Sequence, residues 1–314
     1  MPSKPKVVTD GPLDDDVRGF LNDEVELLPW ETAGPDPVAI YTYGHAHVGD
    51  EMLDRLPGVK LVSNYGVGVD HIDVAACNRR GIPVGNTPNV LNGATADMGI
   101  ALMLMAGRRM AEGERYARSD EFLEHDPGHM LGREVHSATL GIFGMGAIGR
   151  EVAKRARAFD MTVLYYNRRP RPEVEQELDA RYVTFDELLS QSDYVMLCCP
   201  LTEETRNVID ADALTKMKPT ATLVNIARGG VVDTDALTAA LSERKIYAAG
   251  LDVTEPEPLP RGHPMLALDN VTIMPHLGSA TVQTRRMMAK NSVENLKRGL
   301  RGEPFLNEVK AAGS

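Results

Sequence analysis

The chain has little cysteine, little tryptophan and a deficit of positive charge. Its three cysteines, Cys77, Cys198 and Cys199, form no framework of spaced pairs. Adjacent Cys198 and Cys199 sit in an apolar run and are poor partners for each other. A disulfide-stapled extracellular scaffold is therefore excluded, and a reducing compartment, the cytoplasm, is expected. Residues 1–10 carry no apolar signal core. The longest apolar stretch, residues 98–106, falls well short of the roughly 20 residues that a membrane-crossing helix requires, so no membrane partner is expected. Lys and Arg number 34 against 45 Asp and Glu, a formal net charge of −11. Such a surface repels phosphate backbones, and nucleic acid is not an expected partner. An acidic protein that binds a small anion must gather positive charge locally, which makes single arginines informative. Low-complexity segments and repeats of 20–50 residues are also missing.

What is present suits two soluble domains. The length of 314 residues exceeds one ordinary compact domain of roughly 100–200 residues. Apolar residues make up 43% and charged residues 25%, enough for packed cores. Short β-rich runs alternate with helical patterns. The predicted strands are residues 6–9, 39–42, 61–63 and 82–85, then 139–143, 162–166, 194–198, 222–226, 248–252 and 271–274. Both alternating sets of side chains in these runs are apolar, as in strands of a parallel sheet covered on two faces. The pattern predicts an α/β protein of doubly wound parallel sheets. Two helices look like joints: an apolar one over 94–108, and a C-terminal one in which Val282, Ala289, Val293, Leu296 and Leu300 recur at helical spacing. The simplest arrangement inserts a cofactor domain, residues 94–281, into an outer domain made of residues 1–93 and 282–314.

A strand, a glycine-rich turn and a helix follow one another at residues 139–159. The turn reads Gly144-Met145-Gly146-Ala147-Ile148-Gly149. Gly144 permits the tight turn, Gly146 lets backbone approach a pyrophosphate, and Gly149 lets helix pack on strand. The helix start supplies N–H groups and a positive dipole end for the anion. The next strand ends in Asn167, Arg168 and Arg169. NAD binders usually place an acid here for the ribose hydroxyls, whereas arginine accommodates the 2′-phosphate of NADP. NADP(H) is the preferred expectation, with NAD(H) admissible; a solvated basic loop is the structural alternative.

Three charged residues follow predicted strand ends: Arg228, Glu257 and His276. Ligands of open α/β sheets bind beyond those ends. Reducing a ketone needs a proton for the developing alkoxide, which histidine can give and retrieve near neutral pH. A carboxylate on the other ring nitrogen fixes the tautomer. An arginine holds a substrate carboxylate and polarises its neighbouring carbonyl. Taken singly, His276 also fits a hydrogen-bonded structural role, Glu257 a surface loop, Arg228 an ion pair at a helix start, and Asp252 a turn acid. Their joint occurrence downstream of the glycine turn favours chemistry.

Together these residues resemble the D-isomer-specific 2-hydroxyacid dehydrogenases. The matching stretches are Gly66–His71, Gly144–Gly149, Asn225–Gly230, Gly250–Pro258 and Pro275–Ser279. The tail, residues 251–308, is most similar to glyoxylate/hydroxypyruvate reductases, with 2-ketogluconate reductases also similar. The resemblance implies a Rossmann domain inserted into a flavodoxin-like substrate domain, and a homodimer joined mainly through cofactor domains. It implies NAD(P)H-dependent reduction of a small 2-keto acid, with His276 as proton donor, Glu257 as its partner and Arg228 as substrate clamp. Backbone N–H groups of Val67 and Gly68 would hold the substrate carboxylate. Asp252 would serve the nicotinamide carboxamide region, Pro200 and Ile226 would line the cofactor, and Gly278 would approach the nicotinamide. Residues 122–132 lack the tryptophans of mammalian glyoxylate/hydroxypyruvate reductases, and the only tryptophan is Trp30. His125 and His129 in this segment either widen the pocket for a hydroxylated acid such as 2-ketogluconate or face solvent. Tyr43 and His45 either line the same pocket or serve core and surface. A corepressor-like dinucleotide sensor is the alternative, because such proteins keep the fold and the triad. Long tails and basic stretches suited to that role are missing here. Formate dehydrogenases, also similar, place Gln two residues before the histidine, where this chain has Met274.

Overall fold

A computed structural model describes residues 3–310; the outermost ends of the outer domain read from sequence, 1–2 and 311–314, lie outside it. The chain divides into two compact units. One runs to Leu91 and resumes at Thr281; the other is Asn92–Ala280.

The first unit holds β1 (Lys6–Thr9), β2 (Glu26–Pro29), β3 (Ala39–Thr42), β4 (Val62–Asn64) and β5 (Val84–Gly85). All pair in parallel in the order β2-β1-β3-β4-β5, the flavodoxin-like order. Ala39, Ile40, Tyr41 and Thr42 are all fully buried, so this central strand has no solvent face. The returning C-terminal helix, Val282–Leu300, starts at Thr281, whose side chain accepts the Thr284 N–H. It is tied to the sheet at Ser292: the hydroxyls of Tyr41 and Ser292 lie 2.7 Å apart, and Ser63 donates to the Ser292 carbonyl.

The second unit holds β6 (Thr139–Phe143), β7 (Thr162–Tyr166), β8 (Ala180–Tyr182), β9 (Tyr194–Leu197), β10 (Thr222–Asn225), β11 (Ala248–Leu251) and β12 (Val271–Ile273). Their order is β12-β11-β10-β9-β6-β7-β8, again parallel throughout. Winding leaves β6 toward β7 on one side and resumes from β9 toward β10 on the other, the doubly wound Rossmann pattern with its switch point between β6 and β9. Alternate residues of β9 feed two cores. Val195 and Leu197 join Leu223, Ala249 and Leu251 on one face. Tyr194 and Met196 join Leu140, Ile142 and Val224 on the other. Each such side chain contributes about 1.5–3 kcal/mol by leaving water. The helix Asn92–Gly107 covers the second face, burying one broad side that includes Ala96, Ile100, Leu102 and Met103.

Sequence reading omitted β2 and β8. Both are short edge strands whose side chains are mostly exposed or half-buried. Their apolar alternation is correspondingly weak. The strands predicted to end at residues 198, 226, 252 and 274 each end one residue earlier in the structure, because that last residue belongs to the turn rather than the ladder.

Candidate active site

The glycine turn leaves β6 at the switch point. Gly144 has φ +107°, a conformation closed to ordinary side chains, and a Cβ there would meet the Cys199 nitrogen at 2.6 Å. At Gly149 a Cβ would run into the Gly144 carbonyl, so only glycine lets the helix Ala147–Arg157 close on the turn. Above the turn lies a groove of about 780 Å³. Gly144, Gly146, Asn167, Arg168, Arg169 and Pro200 help to line it, as do Thr202, Glu204 and Thr205 beyond β9. Met145 is buried instead, and its N–H donates to the Asn167 side-chain oxygen at 2.8 Å. Asn167 thus pins the turn to the end of β7. Ala147 and Ile148 open the helix, where backbone N–H groups and the dipole favour an anion.

The loop after β7 is shaped from below. The Tyr165 hydroxyl accepts the Arg171 N–H at 2.7 Å and donates to Glu175 at 2.8 Å. Burial pushes its own ionisation up to about 12, so it stays a neutral donor. Arg168 and Arg169 are exposed and make no salt bridge within 4 Å among the described residues, a state suited to an incoming anion.

His276 lies on a second loop of the same unit. Its Nδ1 stands 2.7 Å from Glu257 Oε1, and the other Glu257 oxygen accepts the Thr254 N–H at 3.3 Å. An ionised carboxylate can only accept, so Nδ1 carries the hydrogen and the exchangeable proton belongs to Nε2. His276 has φ +58°, a strained setting for a non-glycine residue that must be held by its surroundings. The holder is Asp252. Its carbonyl accepts the His276 N–H at 2.9 Å, and its two carboxylate oxygens accept the Leu277 and Gly278 N–H groups at 2.7 Å each. Asp252 is 2% exposed, and this burial raises its carboxyl above the usual 3.8, against the lowering effect of those two N–H groups.

Arg228 follows β10 at a half-buried position. Asn225 shapes its turn, donating to the Arg228 carbonyl at 2.9 Å and accepting the Ala227 N–H at 3.0 Å. A Cβ on Gly229 would collide with the Thr254 carbonyl group, so glycine lets the Arg228 turn lie against the segment leading to Glu257. Ile226 is buried, its side chain packed beside Gly99 in the core. Any contact it makes with a cofactor therefore falls to its backbone. A Cβ at Gly278 would crowd the Asp252 carboxylate and the Thr95 side chain.

In the first unit, the loop after β4 turns its carbonyls inward. Asn64 donates to the carbonyls of Gly66 and Gly68 at 2.9 and 2.8 Å, and Asn86 to that of Val67 at 2.9 Å. The N–H groups of Val67 and Gly68 donate to no described residue, an arrangement that favours an anion. Nearby, Asp10 accepts the N–H groups of Tyr43, Gly44 and Ala46. The Tyr43 hydroxyl donates to Asp14, and its ring lies 4.7 Å from that of Tyr65. His45 sits 5.1 Å from His71. His125 and His129 are exposed in the chain, the latter against Tyr116 at 4.6 Å. Sequence reasoning missed Asn225, Thr254, Asn64 and Glu204; the only signal for each was its place at or after a strand end.

Residues 100–278, more than half the chain, match the family model described as D-isomer specific 2-hydroxyacid dehydrogenase, NAD binding domain. The chain belongs to that family. An NAD-binding domain of this family takes a nicotinamide dinucleotide, and the glycine turn, the helix start and the groove at the switch point fit one. A glyoxylate reductase of Pyrococcus furiosus is 42% identical to this dehydrogenase, over 96% of this chain and 94% of that one. The human glyoxylate reductase/hydroxypyruvate reductase is 39% identical, over 91% and 92%. Among solved structures, an NADPH-dependent glyoxylate/hydroxypyruvate reductase from Sinorhizobium meliloti, in complex with NADP and malonate, superimposes with TM-score 0.89 at 31% identity, covering 98% of this chain and 97% of that one. No helix among the described residues is long and apolar enough to cross a membrane.

Proposed function

We propose that this dehydrogenase reduces small 2-keto acids, glyoxylate and hydroxypyruvate foremost and 2-ketogluconate as a larger candidate, to D-2-hydroxy acids with NADPH preferred over NADH. The hydrogen-bonded His276–Glu257 pair carries the reading, because carbonyl reduction needs a proton donor of fixed tautomer. A bound nicotinamide supplies the hydride for C2. The residues here do the rest. Protonated His276 gives its Nε2 proton to the substrate oxygen, and Glu257 holds the ring and stabilises its charge. Asp252 fixes the turn that carries His276, with Gly278 assigned to the nicotinamide side. Arg228 takes the substrate carboxylate by charge-assisted bonds. Gly144–Gly149 hold the pyrophosphate, while Pro200 and the Ile226 backbone border the cofactor. Arg168 and Arg169 take the 2′-phosphate by charge-assisted bonds, and Asn167 adds no charge to repel it.

The experiment is a set of initial rates for these three keto acids with NADPH and with NADH. The reading predicts turnover with glyoxylate or hydroxypyruvate and a higher kcat/KM for NADPH. Turnover with none of them removes it.

The same reading includes a homodimer in the cytoplasm. Met110, Phe122, Leu123 and Leu131 are exposed apolar residues in one segment of the second unit, a concentration that calls for cover. Light scattering should return twice the 34.3 kDa chain mass; a single-chain mass would contradict the dimer. The three free cysteines suit a reducing compartment.

A further inference from the structure

We propose that Glu204 is a second determinant of cofactor choice: from the opposite wall of the groove it competes with a 2′-phosphate for Arg168 and so limits the preference for NADPH. The inference rests on the NADPH reading above.

The groove draws one wall from the loop after β7 and the other from the loop after β9, and Arg168 and Glu204 both line it. The second wall is preformed. The Thr205 hydroxyl donates to the Pro200 carbonyl at 2.7 Å and accepts the Thr202 N–H at 2.8 Å. The Thr202 hydroxyl donates to Glu204 Oε2 at 2.7 Å, which orients the carboxylate. Thr202 and the Glu204 backbone, with a smaller contribution from Arg168, hold that carboxyl below its usual range, so it is ionised whenever the enzyme works. Arg168 makes no ion pair within 4 Å among the described residues, so its charge is open to the groove that both residues line. Glu204 is thus a standing counter-charge within the field of Arg168. A 2′-phosphate brings a charge of roughly −1.5 to −2; it must share Arg168 with Glu204 and sit in that carboxylate's field. A bare 2′-hydroxyl meets no such opposition. The pair is exposed and therefore screened, which makes the effect modest and dependent on ionic strength.

The test titrates wild type, Glu204→Gln, Arg168→Ala and the double variant with NADPH and with NADH, reading nicotinamide fluorescence in the absence of substrate. Glu204→Gln should tighten NADPH binding by roughly three- to tenfold while leaving NADH nearly unchanged, and the gain should shrink as salt rises. Adding Arg168→Ala should abolish the gain. Equal shifts for both cofactors, no shift, or a gain that survives loss of Arg168 would each overturn the proposal. The wild-type ratio of the two affinities tests the NADPH reading separately, since the change produced by Glu204→Gln is measured whatever that ratio is.

Discussion

Around His276 the polar groups are committed to one another: Glu257 to the ring and to Thr254, Asp252 to three successive residues of the turn. Around Arg168 and Arg169, beyond β7 on the far side of the same sheet, the loop is braced at its base by the Tyr165 and Tyr182 hydroxyls, and the two guanidinium groups stand exposed. The first region fixes atoms that must be in place before a proton moves, since a misplaced donor forfeits most of its effect. On the proposed reading the second selects among ligands that differ by one phosphate, a task that charge performs at longer range and with looser geometry. The difference is between a strained turn held by a buried carboxylate and an open pair of charges; on the proposed reading the first serves reaction and the second choice.

Substitutions can break that contrast. In the fixed region His276→Ala should lower kcat by roughly 10²–10⁴, with Glu257→Gln close behind, because an amide can donate to Nδ1 and so select the wrong tautomer. Steady-state rates check both, and a loss confined to KM would contradict the role.

Asp252→Asn should be felt in stability first. The amide turns a donor toward one of two backbone donors, a loss of about 1–3 kcal/mol, measurable by denaturant melting. The pH dependence has a definite sign. Burial raises the Asp252 carboxyl above 3.8, so between its unfolded and folded values the folded state binds more protons. The contribution to stability is therefore fully present below the unfolded value and lost as pH rises through the folded one. The variant should lack that decline, and an identical pH slope in both proteins would contradict it.

The smallest effect belongs to the open region. Arg168→Ala should shift the NADPH-to-NADH ratio of kcat/KM toward NADH by roughly tenfold, the worth of one charge-assisted contact, while kcat at saturation holds. An unchanged ratio would show that the loop is only a solvated surface.

Legibility in sequence followed the same division. The strands that carry the glycine turn and the arginine loop, β6 and β7, were readable to the residue, because their central residues are buried on both faces. The edge strands β2 and β8 were not, since half-exposed strands leave a weak pattern. The glycine turn was readable because only glycine meets its steric demands. Arg228, Glu257, Asp252 and His276 stood out as polar residues at the ends of apolar strands. Which way a side chain turns was not readable: Asn167 binds the Met145 N–H, Ile226 points into the core, and Asp252 serves the backbone turn. Asn225 and Thr254 act through local turns whose geometry the residue pattern does not state, and Glu204 gains meaning from the groove it shares with Arg168.

The most direct measurement is a single turnover of glyoxylate on enzyme preloaded with NADPH, wild type against His276→Ala, with cofactor affinity determined on the same samples. The account predicts unchanged NADPH binding and a chemical step slowed by at least about a hundredfold in the variant. A chemical step of wild-type speed with NADPH bound would contradict it.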